Sequence, residues 1–426
     1  MPDELARRLG TTDAVVVGLS AMIGAGVFAA FAPAAAAAGH WLLASLALAA
    51  VVAYCNATSS ARLAALYPES GGTYVYGRRR LGPLWGYLAG WGFTIGKTAS
   101  CAAMALTFGS YALPGLERPL AIAAVAVLTV LNLFGVQRSA GLARIIVAFV
   151  LAVLVVVILA GLAGDGSATF GWFAYTPGAE VFLRNAADPA QAGGWGVMQG
   201  AGLLFFAFAG YARIATLGEE VRDPARTIPR AVGIALGITL AVYTLVAVAA
   251  LRTLQPELLA TSRAPLADVV RQAGFGWLAP VVGAGAAVAA LGALLALLLG
   301  VSRTVLAMAR ERDLPGVLAA VDPVRQVPRR AELAVGGAVI VLLLVADLRE
   351  AIGFSSFGVL VYYAVANACA LTLSRDEGAP PRAVPVLGLA LCLALAATLP
   401  MASVVAGLAV FAAGLAIYAI RRARAG

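Results

Sequence analysis

Gly24, Ala25 and Gly26 interrupt an apolar stretch, Val15 to Ala38, that is long enough to cross a bilayer. A second such stretch, Met198 to Leu217, is interrupted by Ala207, Phe208, Ala209 and Gly210. Glycine weakens a helix and admits backbone geometries closed to other residues. Within hydrocarbon, unwound backbone survives only where protein or a wet cavity covers it. A broken helix then offers chemistry without side chains, because its ends carry free N–H groups and free carbonyls. The outer half of the first segment begins near Ala25 and Gly26, where N–H groups and the positive helix end favour an anion. The inner half ends near Met22 and Ile23, whose carbonyls can accept from a cation. Two interrupted segments at corresponding positions of two halves point to a binding site near the middle of a membrane. Glycines in membrane helices also let neighbours pack closely, and that role stays open for each segment taken alone.

Lys97 is the only lysine; every other basic side chain except His40 is an arginine. It falls near the centre of an apolar span, roughly 20 Å from either end at 1.5 Å per residue. Snorkelling does not cover that distance, so the ammonium must face protein or a wet cavity. Two roles remain open: a group that gains and loses a proton, or a fixed cation holding helix-end carbonyls. Arg213 is a second buried basic candidate, and as an arginine it keeps its proton. Its expected partners are backbone carbonyls or the Glu219–Glu220 region. No Asp or Glu falls in the central part of any span.

These residues need helices to hold them. Of 426 residues, 62% are hydrophobic and 12% charged, against about 25% charged in soluble domains. The composition is that of a polytopic membrane protein. Twelve spans are expected at 14–38, 41–66, 84–112, 119–137, 142–164, 196–217, 230–251, 277–309, 331–348, 351–374, 384–400 and 402–420. The polar start MPDELARRLGTTD and the long run after it do not read as a cleavable signal. With the N-terminus inside, inward segments carry twenty arginines and outward segments six. That bias places both termini in the cytoplasm. The net charge of +9 is therefore topology and membrane contact, not a nucleic-acid footprint.

Four cysteines (Cys55, Cys101, Cys369, Cys392) fall within spans without metal-ligand spacing. His40, the only histidine, has no acid–base cluster around it, and no phosphate-binding motif is complete. Neither enzyme chemistry nor a cofactor or metal is expected. Among the loops, Thr253 to Gly276 carries Leu266, Val269 and Val270 at helical spacing and is expected to form a short helix over the outer mouth. Glu219 to Arg230 and Arg310 to Arg330 read as compact inner loops, either plain topology signal or ion pairs that close an inner gate.

The run Gly18-Leu19-Ser20-Ala21-Met22-Ile23-Gly24-Ala25-Gly26-Val27-Phe28 resembles the first helix of the amino acid–polyamine–organocation (APC) superfamily. The likeness continues at Ala53 to Ala57, Ser70 to Tyr76, Phe205 to Gly210, Glu219 to Pro224, Ser302-Arg303 and Leu314-Pro315, in the family's order. It implies an all-α integral membrane fold of the LeuT-like kind, a five-plus-five inverted repeat with helices 1 and 6 broken. The repeats would cover 14–164 and 196–374, with two accessory helices at 384–420. It also implies secondary transport of amino acids by alternating access in the cell membrane. Met22, Ile23, Gly24, Ala25 and Gly26 would then meet the substrate backbone, together with Phe206, Ala209 and Gly210 of the sixth span.

A zwitterion leaving water needs a partner for each charge, and the two helix halves supply them. Phe206 occupies the family's position for an aromatic that closes over the substrate. Ala212, followed by Arg213, stands where many relatives carry an acidic or polar group. This departure, with no central carboxylate, argues for neutral substrates. Proton-coupled relatives use a lysine on the fifth helix; here Ala148 to Leu151 has none, and Lys97 is expected to reach that space from the third. Ser302 is expected to face the first break. Asn56, Asn132 and Asn367 read as interhelical hydrogen bonders. Two alternatives stay open: a cationic amino acid or polyamine permease or exchanger, and a transport-inactive amino acid sensor.

Overall fold

The structure, a computed structural model, describes residues 9–68, 71–134, 140–164, 193–215, 221–322 and 325–423. Among these residues the secondary structure is helical, apart from one isolated bridge between Leu9 and Val221. The first stretch is divided into α1 (Thr11–Met22), α2 (Ala25–Ala29) and α3 (Phe31–Ala38). It is followed by α4 (Leu42–Leu66), the short α5 (Thr73–Arg80), α6 (Pro83–Ala112), α7 (Glu117–Leu133) and α8 (Ala140–Ala163). The sixth stretch is α9 (Gly194–Phe208), a tight three-residue turn at Ala209–Tyr211, and α10 (Ala212–Ala215). Then come α11 (Pro224–Thr253), α12 (Pro256–Thr261), α13 (Pro265–Gln272), α14 (Ala279–Arg310), α15 (Arg329–Val345), α16 (Leu348–Leu371), α17 (Ala383–Thr398) and α18 (Met401–Ala423). Eight helical segments among the described residues are long and apolar enough to cross a membrane.

α6 is the central strut, packed along α14 and α16. Its glycines explain the closeness: a Cβ on Gly96 would sit 3.0 Å from the Ser355 carbonyl of α16. α4 packs on α9 and α11, and α1 lies on α11. The two divided stretches are thus enclosed from both sides. Large apolar side chains such as Leu159, Val345 and Met401 point outward instead, the inverse of a soluble protein and the pattern of a surface wetted by lipid.

Over one end of this bundle lies α13, which buries Leu266, Val269 and Val270 completely. The expected short helix is present, and α12 forms a second beside it, against α3. The Leu266 N–H donates to the Tyr111 hydroxyl (3.1 Å), which donates to the Phe28 carbonyl (2.9 Å). At the other end, α5 is pinned to the turn after α14. Arg78 and the Tyr74 hydroxyl both donate to Asp313, at 2.8 and 2.7 Å, and Arg78 also reaches Glu311 at 3.1 Å. Arg80 pairs with Glu377. Burial pushes the Asp313 carboxyl up from its ordinary range, against the pull of Tyr74 and Arg78. The Arg80 hydrogen bond lowers Glu377 to about 2. The Arg310–Arg330 loop does form ion pairs, then, but with α5. Asp223 and Arg226 of the Glu219–Arg230 loop make only an exposed pair at 3.8 Å. Glu219, Glu220, Ser70 and most of the Asp165–Gly194 stretch lie outside the described residues.

Candidate functional site

The first break falls at Ile23 and Gly24, one residue earlier than the glycine spacing implies. Ile23 ends α1 with φ −83° and ψ 48°, and Gly24 precedes α2 with φ −100° and ψ −140°. Ala25 and Gly26 belong to the outer half, which continues without a gap because the Ala30 and Ala34 N–H groups donate to Gly26 and Ala30. The second break is tighter than expected: a single narrow turn rather than open chain, with Ala209 at φ −64° and ψ 3°.

The glycines act here through size. None of Gly24, Gly26 and Gly210 has positive φ, so a left-handed backbone is not what they supply. A Cβ on Gly26 would lie 2.6 Å from the Ala207 backbone, and one on Gly210 would lie 2.3 Å from the Ala21 carbonyl. A Cβ on Gly24 would meet Ala293 of α14 at 2.9 Å. The two breaks touch each other backbone to backbone, and close approach is the reason for all three glycines.

Side chains that no motif announced hold this contact. Tyr243 of α11 is fully buried, and its hydroxyl lies 2.6 Å from the Met22 carbonyl and 3.0 Å from the Ala207 carbonyl. One phenol thus bridges the free carbonyls of both breaks. Phe208 and Phe31 set its ring edge-to-face, with centroids 5.1 and 6.4 Å away. Lys97 is 7% exposed, and its ammonium donates to the Ala209 carbonyl at 3.3 Å. The Tyr363 hydroxyl donates to the same oxygen at 3.4 Å. Lys97 therefore reaches the sixth-span break. Among the described residues it has no ion-pair partner.

Other expectations resolve differently. Phe206 is buried on α9 beside the contact, and Ala212 follows the turn; Arg213 is half-buried on α10. On this helix it is the Ala207 carbonyl that Tyr243 bridges to the first break. Ser302 does not face the first break. Its hydroxyl donates to the Leu299 carbonyl at 3.0 Å and to Glu332 at 2.6 Å. Glu332 is 1% exposed and was hidden from the sequence by its place: it follows Arg329 and Arg330 at a helix start, where charge reads as topology. Asn367 donates to Asn56 at 2.6 Å and accepts from Ser59 at 2.7 Å, so this pair does link helices.

The chain is 63% identical to an uncharacterized transporter of Mycobacterium tuberculosis, over 99% of this chain and 93% of that one. It is 26% identical to a branched-chain amino acid permease of Bacillus subtilis, over 97% of this chain and 92% of the relative. A vacuolar cationic amino acid transporter of Arabidopsis thaliana is 28% identical over 90% of this chain and 66% of its own length. These relatives are transporters, not enzymes. Residues 9–422 match the family described as amino acid permease, and the chain belongs to that family, a multi-pass membrane protein of the APC superfamily.

Proposed function

We propose that the protein carries neutral L-amino acids across the cytoplasmic membrane by alternating access, with a proton moving in the same cycle. One observation carries the choice of substrate: the buried Lys97 ammonium stands 3.3 Å from the Ala209 carbonyl, with no acidic partner among the described residues. A cation already placed there opposes a second one, whereas a zwitterion of zero net charge adds no like charge. The named relatives point both ways, one to branched-chain and others to cationic amino acids; the charge at the break favours the first.

When the two breaks part, the N–H groups at the start of the Ala25–Ala38 half take the substrate carboxylate. The Met22 and Ala207 carbonyls, released by Tyr243, accept from its ammonium. Phe206 covers the side chain, and Gly24, Gly26 and Gly210 let the two backbones come this close. The Tyr111–Leu266 closure at one end and the Arg78–Asp313 closure at the other serve as outer and inner gates. Helices α1–α8 and α9–α16 form the two inverted halves, α17 and α18 are accessory, and both termini face the cytoplasm. Lys97 loses and regains its proton as its hold on Ala209 is broken and remade.

Thermal unfolding of the detergent-solubilised protein tests the substrate class, because a ligand of the folded state raises apparent stability. Leucine, isoleucine, valine and alanine are expected to raise the Tm, and their methyl esters to leave it unchanged. Stabilisation by arginine or putrescine above any neutral amino acid would overturn the neutral reading.

A further inference from the structure

Away from the breaks, α15 buries a carboxyl that the transport reading does not use. Glu332 is one turn into the helix and 1% exposed. Its two oxygens meet neutral groups: Ser302 of α14 donates to Oε1 at 2.6 Å, and Asn132 of α7 lies 3.5 Å from Oε2. The groups facing it from each neighbour are few. From α14 comes Arg303, exposed and beyond ion-pair distance; from α6 comes the thiol of Cys101, with Lys97 one turn earlier on that helix. From α7 come Asn132 and Thr129, both neutral. On α15 itself Arg329 and Arg330 are exposed, Arg330 turning to the Val317 carbonyl. The 316–319 segment packed on α15 brings no charge.

The polar groups here are incompletely matched. Asn132 is 1% exposed and its Oδ1 has no donor, and neither has the buried Oγ1 of Thr129, one turn before it on α7. Thr129 in turn lies against α15, where a Cβ on Gly336 would sit 2.6 Å from its Oγ1. A carboxylate adds two more acceptors to this set; a carboxylic acid adds a donor. Burying an unpaired charge is far more costly than burying a hydrogen-bonded neutral group, and a buried acid with neutral neighbours is a functional candidate. With its amide turned over, Asn132 presents Oδ1 to the acid's O–H. The same helix that binds Glu332 through Ser302 also touches the first break, nine residues earlier, where Ala293 packs on Gly24. That is about 14 Å of continuous helix at 1.5 Å per residue.

We infer that Glu332, with Ser302 and Asn132, is a proton-binding site of the transport cycle, coupled to the first break through α14. This rests on the transporter reading, and it adds a second proton-exchanging group to Lys97. Protonation transfers H⁺ to Oε2 with no other bond made or broken. Loss of that proton leaves a buried anion that α7 and α14 must move to solvate.

Proteoliposomes loaded with a pH-sensitive dye measure protons moved per labelled leucine. Glu332→Gln keeps the shape and a donor but cannot titrate; with Lys97 still exchanging its proton, it should lower that ratio by about half while leucine counterflow stays measurable. A Glu332→Gln protein with the wild-type ratio overturns the inference. Infrared spectroscopy of the purified protein decides independently of transport. The wild type should show a protonated carboxyl stretch at neutral pH that Glu332→Gln lacks, and no such band overturns the proposal. Should Glu332→Gln fail to fold, Ser302→Ala serves: losing the carboxylate's shortest donor should move the midpoint of the band to higher pH, and an unmoved midpoint overturns it. Failure of wild-type counterflow would sink the transporter reading, while the infrared band still decides whether Glu332 holds a proton.

Discussion

Tyr243 has one hydroxyl proton and two carbonyls within reach, one from each broken helix. Removing that hydroxyl takes away a buried donor that the two carbonyls share, at a cost of about 1–3 kcal/mol. Tyr243→Phe is therefore expected to lower the Tm of the ligand-free protein, read by thermal unfolding in detergent; an unchanged Tm would mean that the bridge carries no weight. Lys97 makes a sharper distinction. Lys97→Met keeps much of the stem and removes the charge, so the pH profile of transport should flatten, leaving only the part that Glu332 supplies. Lys97→Arg retains a cation that cannot release its proton, and should be as defective. An Arg variant with the wild-type pH profile would reduce Lys97 to a fixed structural cation. Lys97 stood out in the sequence because a single lysine at mid-span depth is chemically conspicuous. Tyr243 did not, since a tyrosine among aliphatic residues looks like packing until its hydroxyl is placed. Ser302 was legible as a polar residue but not in its direction, because its partner Glu332 comes from a helix thirty residues later.

At the scale of elements, the breaks were visible as interruptions in apolar stretches, and close packing was one of the roles left open for their glycines, but the partner of each was not visible. Sequence shows that a residue is small; only the crossing of two helices shows what it must make room for. Gly210→Ala places a methyl 2.3 Å from the Ala21 carbonyl, and overpacking of this kind costs about 1–3 kcal/mol or more. A lower Tm and lost amino acid binding are expected, whereas a methyl tolerated without loss would contradict the backbone-to-backbone contact. Gly26→Leu should likewise wedge the breaks apart at Ala207 rather than simply block a carboxylate. The α5 helix has its own signature. The Arg80 hydrogen bond holds Glu377 at about 2, below its ordinary value near 4.3. A depressed carboxylate stabilises the fold above its unfolded pKa, and the contribution is lost as pH falls toward 2. Unfolding scans across that window should show a fall in Tm that Glu377→Gln lessens; equal acid sensitivity in both proteins would leave the pair without effect.

For the whole molecule, hydropathy was sufficient to mark apolar spans, eight of which among the described residues are helices long enough to cross a membrane. The gates were not so marked, because their partners are distant in the chain: Arg78 meets Asp313, and Tyr111 meets Leu266. The account's central claim is that this assembly moves neutral amino acids with a cation already seated at the break. Uptake of labelled leucine into proteoliposomes, with an inward proton gradient and competing amino acids outside, tests it most directly. Accumulation should occur, collapse with the gradient, and be inhibited by isoleucine and valine but not by leucine methyl ester, arginine or putrescine. Uptake of arginine in preference to leucine, or binding of leucine without any uptake, would contradict it.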